Sequence, residues 1–289
     1  MKTYIDCFPC FMNQALVASR ISSPEEKVHV KIMTRVMDML RNMSFDTPPP
    51  SIARNMYKII REETGNLDPY REIKLKDNRE MMNIFPYLEN VIENHGDSLK
   101  QACKLAIAGN QIDSGTGKRK ETHDHKDIEE ILNKTPVIDH FDAMKEGFLK
   151  SKSILYIGDN SGEIVLDRLF IEQIVRDFPK LNLIYAVRGQ PVINDVTMTD
   201  AEFAGITDFC EVIDNGDSSP GTDLRYCSDK FKNYFNDADM VIAKGQGNYE
   251  TLSGVKKENL YFLLMAKCHV IASHLECETG STVIKNNSL

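Results

Sequence analysis

Ser153-Ile154-Leu155-Tyr156-Ile157 runs directly into Gly158-Asp159-Asn160-Ser161-Gly162-Glu163, and a helical pattern from Ile164 to Phe178 follows. The first five residues are a short apolar run ended by glycine, the signature of a strand buried on both faces. Leu181-Asn182-Leu183-Ile184-Tyr185-Ala186-Val187 repeats it, and Glu211-Val212-Ile213, Met240-Val241-Ile242-Ala243 and Leu260 to Met265 add three further strands. A helix is expected from Asp223 to Phe235. Strands alternating with helices imply an α/β fold with a parallel sheet covered on both faces.

The chain before this region has a different grammar. Only Gly65 and Gly96, of 16 glycines, precede Gly109, and nine of 13 methionines lie at or before Met82. Few glycines and many straight-chain residues suit helices, since glycine costs roughly 1 kcal/mol per helical position relative to alanine. Phe11, Ala15, Leu16 and Ala18 mark a helix from Phe8 to Arg20. Ser23-Pro24-Glu25-Glu26 reads as a capping box opening a second, in which Val28, Ile32, Val36 and Leu40 recur every four residues. Thr47-Pro48-Pro49-Pro50 interrupts it. Further helices are expected from Ser51 to Glu63, Asp77 to Glu93 and Asp97 to Ala108. With no strand signal before about residue 135, the division is a mainly α-helical domain over 1–134 and an α/β domain over 135–289. The polar stretch Gly115 to Lys126 reads as an exposed connection.

Composition narrows the function. The 289 residues carry 35 Lys plus Arg against 43 Asp plus Glu, a formal net charge of −8. That balance makes the chain a poor candidate for sequence-independent nucleic-acid binding, which needs a net positive face, and leaves room for a local basic pocket. No apolar run approaches the ~20 residues of a membrane helix. Met1-Lys2-Thr3-Tyr4-Ile5-Asp6 lacks the apolar core of a signal peptide. With no export signal, the seven cysteines are expected as reduced thiols in the cytoplasm.

In an open α/β sheet, ligands bind beyond the carboxyl ends of the strands. There the sequence places Gly158-Asp159-Asn160-Ser161-Gly162-Glu163, then Arg188-Gly189-Gln190-Pro191-Val192-Ile193-Asn194-Asp195, then Lys244-Gly245-Gln246-Gly247-Asn248-Tyr249. Asp159, Asn160 and Asp195 offer only oxygen ligands, which suit a hard divalent cation such as Mg²⁺ or Mn²⁺. Lys244 adds a positive charge, the amides of Gly245 and Gly247 can approach an anion, and a helix starting near Asn248 would add its dipole. Together these describe a phosphate-ester site. Each segment alone also reads as an ordinary turn or helix cap.

Other polar groupings say less. Cys7-Phe8-Pro9-Cys10 is half of a zinc site, a redox pair or a structural feature, and no second Cys-x-x-Cys accompanies it. His123-Asp124-His125 falls in the charged loop. Gly109-Asn110-Gln111-Ile112-Asp113 ends a helix at the join of the two halves.

On these residues the chain resembles the damage-control phosphatase family, long filed as domain of unknown function 89. Its likeness is to the microbial branch with an N-terminal Cys-x-x-Cys. The resemblance rests on Cys7 to Cys10, Asp68-Pro69-Tyr70 with Lys74, Ala108 to Asp113, Gly158 to Glu163, Asn194-Asp195-Val196-Thr197, and Lys244 to Leu252. It implies a three-layer α/β/α domain with a mostly parallel sheet joined to an α-helical N-terminal domain. It implies metal-dependent hydrolysis of phosphorylated metabolites such as sugar phosphates or damaged cofactor intermediates. It assigns the metal to Asp159, Asn160 and Asp195, the transferred phosphate to Lys244, and a substrate-side place to Asn110; the role of Cys7 and Cys10 it leaves open.

The expectation is therefore a phosphatase that uses Mn²⁺, Mg²⁺, Co²⁺ or Ni²⁺ on a small phosphorylated metabolite. Catalysis falls to Asp159 and Lys244, and phosphate contacts to Ser161, Lys244, Gly245 and Asn248. One alternative is an S-adenosylmethionine-dependent methyltransferase, against which Asp159-Asn160-Ser161-Gly162 lacks the Gly-x-Gly that admits that cofactor. The other is a metal- or redox-responsive binding protein built on Cys7 and Cys10.

Overall fold

The computed structural model describes residues 1–94, 96–109, 129–130 and 132–289. Five helices come first: α1 (Cys7–Ser22), α2 (Glu26–Arg41), α3 (Pro49–Thr64), α4 (Arg71–Glu93) and α5 (Ser98–Ala108). The α/β part follows as β1 (Ile138–Asp139), α6 (Phe141–Lys150), β2 (Ser153–Ile157), α7 (Glu163–Asp177) and β3 (Asn182–Val187). It continues with α8 (Met198–Ala204), β4 (Glu211–Asp214), α9 (Asp229–Asp237), β5 (Met240–Lys244), α10 (Gly245–Leu252), β6 (Leu260–Met265), α11 (His269–His274) and β7 (Thr282–Asn286). No described helix is long and apolar enough to cross a membrane.

The seven strands form one sheet in the order β1-β7-β6-β5-β2-β3-β4. β4, β3, β2, β5 and β6 are mutually parallel, while β7 runs antiparallel to β6 and β1 parallel to β7. The sheet is thus mostly parallel, with β7 reversing against β6 and the two-residue β1 as the edge beyond it. The chain moves outward from β2 through β3 to β4, then returns to place β5 on the other flank of β2. That reversal makes a crevice between the carboxyl ends of β2 and β5, where ligands bind in such sheets.

The two-residue alternation of side chains divides the core. Ile154 and Tyr156 of β2, with Tyr185, Ile242 and Leu263, face a cluster completed by α4 to α8. Leu155 and Ile157, with Ile184, Ala243 and Phe262, face the opposite cluster, closed by Phe231 and Phe235 of α9, Tyr249 of α10 and Ile271 of α11. This is a three-layer α/β/α arrangement. Helices α1 to α3 close round a third cluster of Phe11, Ile32, Val36, Met56 and Ile60, which also takes Val192 from the loop after β3. That loop is thereby pinned to the helical part.

Several local expectations shift. The capping box at Ser23 does not form: α2 starts at Glu26 with no side-chain cap, and Ser23 Oγ instead accepts from the Glu25 amide at 3.2 Å. The proline run does not delay α3, because Pro49 and Pro50 sit in its first turn, where a missing N–H costs nothing. α4 starts six residues before Asp77. Its buried stripe begins with Lys74, Asp77 and Asn78 before turning apolar at Met81, so hydrophobic periodicity did not reveal its first turns. α9 starts only at Asp229, capped by Ser228 Oγ. α10 starts at Gly245, three residues before the expected Asn248. The Gly115–Lys126 connection lies outside the described residues.

Candidate active site

The site grows from the end of β2. Gly158 lies so close to the Tyr185 hydroxyl and Val196 that any β-carbon would overlap them, so the chain passes tightly under the loop after β3. Beyond it, Asn160 and Asp195 pair as an antiparallel bridge. The Val196 amide donates to the Asp159 carbonyl at 2.9 Å and the Ser161 amide to the Asn194 carbonyl at 2.8 Å. Two loops distant in sequence are thus zipped together, bringing Asp159, Asn160 and Asp195 side by side. All three are buried, as is Ser161.

Side chains then fix the oxygens. Asn160 Nδ2 donates to Asp159 Oδ2 at 3.0 Å, which leaves Asn160 Oδ1 as its acceptor atom. Arg188, the residue after β3, is fully buried; its Nε donates to Asp195 Oδ2 at 2.7 Å and its Nη2 lies 3.9 Å from Asp159 Oδ1. Its Nη1 donates to Thr222 Oγ1 at 3.3 Å and Nη2 also reaches Asn248 Oδ1 at 3.4 Å. On the far side of the crevice, Gly245 has φ +77° and a β-carbon there would overlap the Asp159 carboxylate. Glycine is required for conformation and for space, and the first turn of α10 can press directly on Asp159.

Lys244 is fully buried, and its ammonium does not stand open in the crevice. Nζ donates to Glu163 Oε1 and, at 2.6 Å, to Asp167 Oδ1. Both carboxylates project from α7 one turn apart. Asp167 also accepts from the Tyr156 hydroxyl at 2.7 Å and the Tyr185 hydroxyl at 2.9 Å. Burial pushes the Glu163 carboxyl up to about 8, against the pull of Lys244. Burial opposes the Lys244 charge, but Asp167 and Glu163 outweigh it and hold the ammonium above its ordinary value.

Asn248 is equally committed. Its Nδ2 donates to the carbonyls of Lys244 at 2.7 Å and Gly158 at 3.2 Å, while Oδ1 accepts from Thr222 Oγ1 at 2.8 Å. It ties the ends of β2 and β5 to the loop after β4. Helix α4 braces the opposite edge. Asn78 Oδ1 accepts from the Gly162 amide at 2.6 Å and its Nδ2 donates to Asp200 Oδ1 at 2.9 Å. Lys74 Nζ pairs with Asp200 Oδ2 at 2.6 Å.

Sequence reasoning thus named the residues that converge here, but not the ones that hold them. Arg188, Glu163, Asp167, Asn78 and Thr222 were not singled out. A signal existed for two of them: Glu163 and Asp167 are charged positions one turn apart on the buried, mainly apolar face of α7. Asn110, Asp113 and the His123-Asp124-His125 run lie outside the described residues. Cys7 is half-buried and Cys10 exposed in the first turn of α1, and all seven cysteines are free thiols. Partial desolvation by the surrounding chain, and then the Glu250 charge, push the Cys10 thiol up, and desolvation does the same to Cys7. Gln14 Nε2 donates to Cys10 Sγ at 3.5 Å.

The donor set can be tested against a divalent cation. Among the described residues no three or more His, Cys, Asp or Glu side chains are grouped to share a metal. The candidate ligands are two carboxylates and one amide oxygen, a set that a hard cation completes with water and substrate. Asp159, Asp195 and Asp167 face the two buried cations Arg188 and Lys244, and Glu163 adds a fourth carboxyl that is charged only above about 8, an excess of acidic groups that a dication offsets. Ser161 Oγ, buried beside these ligands, has no hydrogen-bond partner among the described residues. The residues fit such a group.

A sequence model of the damage-control phosphatase ARMT1-like domain matches residues 3–283. The chain belongs to the damage-control phosphatase family. A damage-control phosphatase of Pyrococcus horikoshii is 32% identical over 99% of both chains, and one from Archaeoglobus fulgidus is 28% identical over 99% of both. An uncharacterised protein of Methanocaldococcus jannaschii is 32% identical over 98% of this chain and 95% of its own. The crystal structure of a DUF89 family protein from Pyrococcus horikoshii superposes with a TM-score of 0.89 at 30% identity, covering 99% of each chain. The damage-control phosphatase likeness therefore spans the helical part as well as the sheet.

Proposed function

We propose that the chain is a divalent-metal-dependent phosphatase acting on a small phosphorylated metabolite. The observation that carries this reading is the buried group of Asp159, Asn160 and Asp195, zipped together at the crevice between β2 and β5 and roofed by Gly245. Asp159, Asn160 and Asp195 would hold the cation. When bound, it supplies Lewis acidity toward a phosphoryl oxygen and lowers the pKa of water.

The chain's own groups do the rest. Asp159 Oδ2, fixed by Asn160 and Gly245, orients the attacking water in line with phosphorus. Ser161 Oγ donates to a phosphate oxygen, and the amides at the start of α10 add donors along the helix dipole. Lys244 contributes the charge that Glu163 and Asp167 leave it, and it anchors the floor on which the phosphoryl group lies. Arg188 and Asn248 position the ligand loops.

The test is phosphate release from a panel of phosphorylated metabolites with Mg²⁺, Mn²⁺, Co²⁺ or Ni²⁺. Asp159→Ala is expected to abolish release while the fold persists. Full activity in that variant overturns the reading.

A further inference from the structure

Helix α3 carries a polar group that the proposed reaction leaves unused. Arg54, Tyr57 and Arg61 lie three and four residues apart, on one helical face. That face crosses the loops that follow β3 and β4. Arg54 Nε donates to Asp217 Oδ1 at 2.6 Å, and its guanidinium lies 4.4 Å from the Tyr226 ring centroid. Arg61, half-buried, reaches neutral oxygens alone among the described residues: Ser218 Oγ at 3.3 Å and the Pro191 carbonyl at 3.4 Å. Both bonds are long. Burial, and then the neighbouring Arg54 charge, pull the Arg61 guanidinium below its ordinary value, against Asp217 and Glu62. Asp217 is itself shared, since its Oδ2 accepts from the Ser219 amide at 3.1 Å and the Ser219 hydroxyl at 2.5 Å. Two guanidinium groups thus draw on one divided carboxylate. A partly buried cation under-compensated in this way is stabilised by an incoming anion.

The pair also stands close to the proposed reaction centre. Pro191 is four residues from Asp195, and Ser218 is four residues from Thr222, whose hydroxyl contacts Arg188 and Asn248. Four residues span at most roughly 14 Å fully extended. The first tether is shorter still, because the Asp195 amide turns back to the Val192 carbonyl at 3.0 Å.

We infer that Arg54 and Arg61 form a second anion subsite, which receives a carboxylate or phosphate at the end of the substrate remote from the phosphoryl group being hydrolysed. The substrate class is then a short metabolite with two anionic ends. The inference rests on the phosphatase reading for the identity of the reacting end.

The test compares ω-carboxyalkyl phosphates of two to six methylenes with alkyl phosphates of equal length, using the full chain, Arg61→Gln and Arg61→Lys. Phosphate release gives KM and kcat separately, and calorimetry with the corresponding phosphonates reads binding without turnover. The wild type is expected to favour at least one carboxylated member by about tenfold, the worth of one good ion pair, through KM. Arg61→Gln brings that ratio towards one, and Arg61→Lys restores part of it. A wild-type ratio near one throughout, or a ratio undiminished in Arg61→Gln, overturns the inference. Absence of phosphate release from both series counts against the phosphatase reading alone, because the phosphonate ratio still decides the subsite.

Discussion

Replacing Lys244 by methionine removes the cation that the site keeps wholly inside. Lys244 is 0% exposed and its partners Glu163 and Asp167 are each 1% exposed, so water does not screen the loss. Removing one partner of a buried ion pair costs about 3–5 kcal/mol, a large part of the ~5–15 kcal/mol that holds a domain folded. Asp167 keeps the hydroxyls of Tyr156 and Tyr185. Glu163 loses the ammonium it faces and, fully buried, holds its proton instead. Its folded pKa is raised from 4.5 to about 8 in the intact chain. Its contribution is therefore fully present below about 4.5 and is lost as pH rises through 8. Without Lys244 the carboxyl holds its proton to still higher pH, so the penalty of the substitution grows with pH. Urea unfolding with chelator present should show Lys244→Met losing the full 3–5 kcal/mol near pH 9 and less near pH 5.5. Adding Glu163→Gln should recover part of the loss at pH 9, since the two sites are coupled rather than additive. A loss below about 1 kcal/mol, or one equal at both pH values, would refute the assignment of Lys244 as the internal counter-charge.

Three further substitutions probe the framework. Gly245→Ala should eliminate metal binding and phosphate release with far-ultraviolet circular dichroism preserved, because its β-carbon overlaps the Asp159 carboxylate; unaltered metal affinity would count against the roof over Asp159. Arg188→Gln removes the donor to Asp195 and should weaken metal binding by about 10–100-fold in calorimetry, whereas an unchanged affinity would mean that the guanidinium does not orient the ligand. The double variant Cys7→Ser, Cys10→Ser should keep its phosphate release, since both thiols have raised pKa values; its loss together with full activity in Asp159→Ala would favour a thiol-centred protein.

The parallel strands were legible because both faces are buried. Ile154 to Ile157 are apolar without interruption, and a glycine marks where the chain leaves the sheet. The edge was not legible: β1 is two residues long, and β7 carries Lys285, so neither makes an apolar run. The same physics separates the visible and hidden parts of the site. Asp159, Asn160 and Asp195 stand in loops, where polar residues draw attention after a strand. Lys74 and Asn78 occupy the buried stripe of α4, where a hydrophobic pattern is expected, and their polarity masked the start of that helix. Lys244 was visible as a charge at a strand end, but its partners lie 81 and 77 residues away on α7. An open cation and an internally neutralised one look alike until those residues are brought together. Arg188 was hidden for the same reason, as an ordinary charge after a strand.

The central claim is that Asp159, Asn160 and Asp195 hold a divalent cation for phosphate-ester hydrolysis. Phosphate release, measured on the wild type before and after chelation and on a folded Asp159→Asn variant across the same metabolite panel, tests it most directly. The account predicts release that disappears on chelation, returns with added Mg²⁺, Mn²⁺, Co²⁺ or Ni²⁺, and falls by about 100-fold or more in Asp159→Asn. Release that survives chelation, or an Asp159→Asn variant as fast as the wild type, would contradict it.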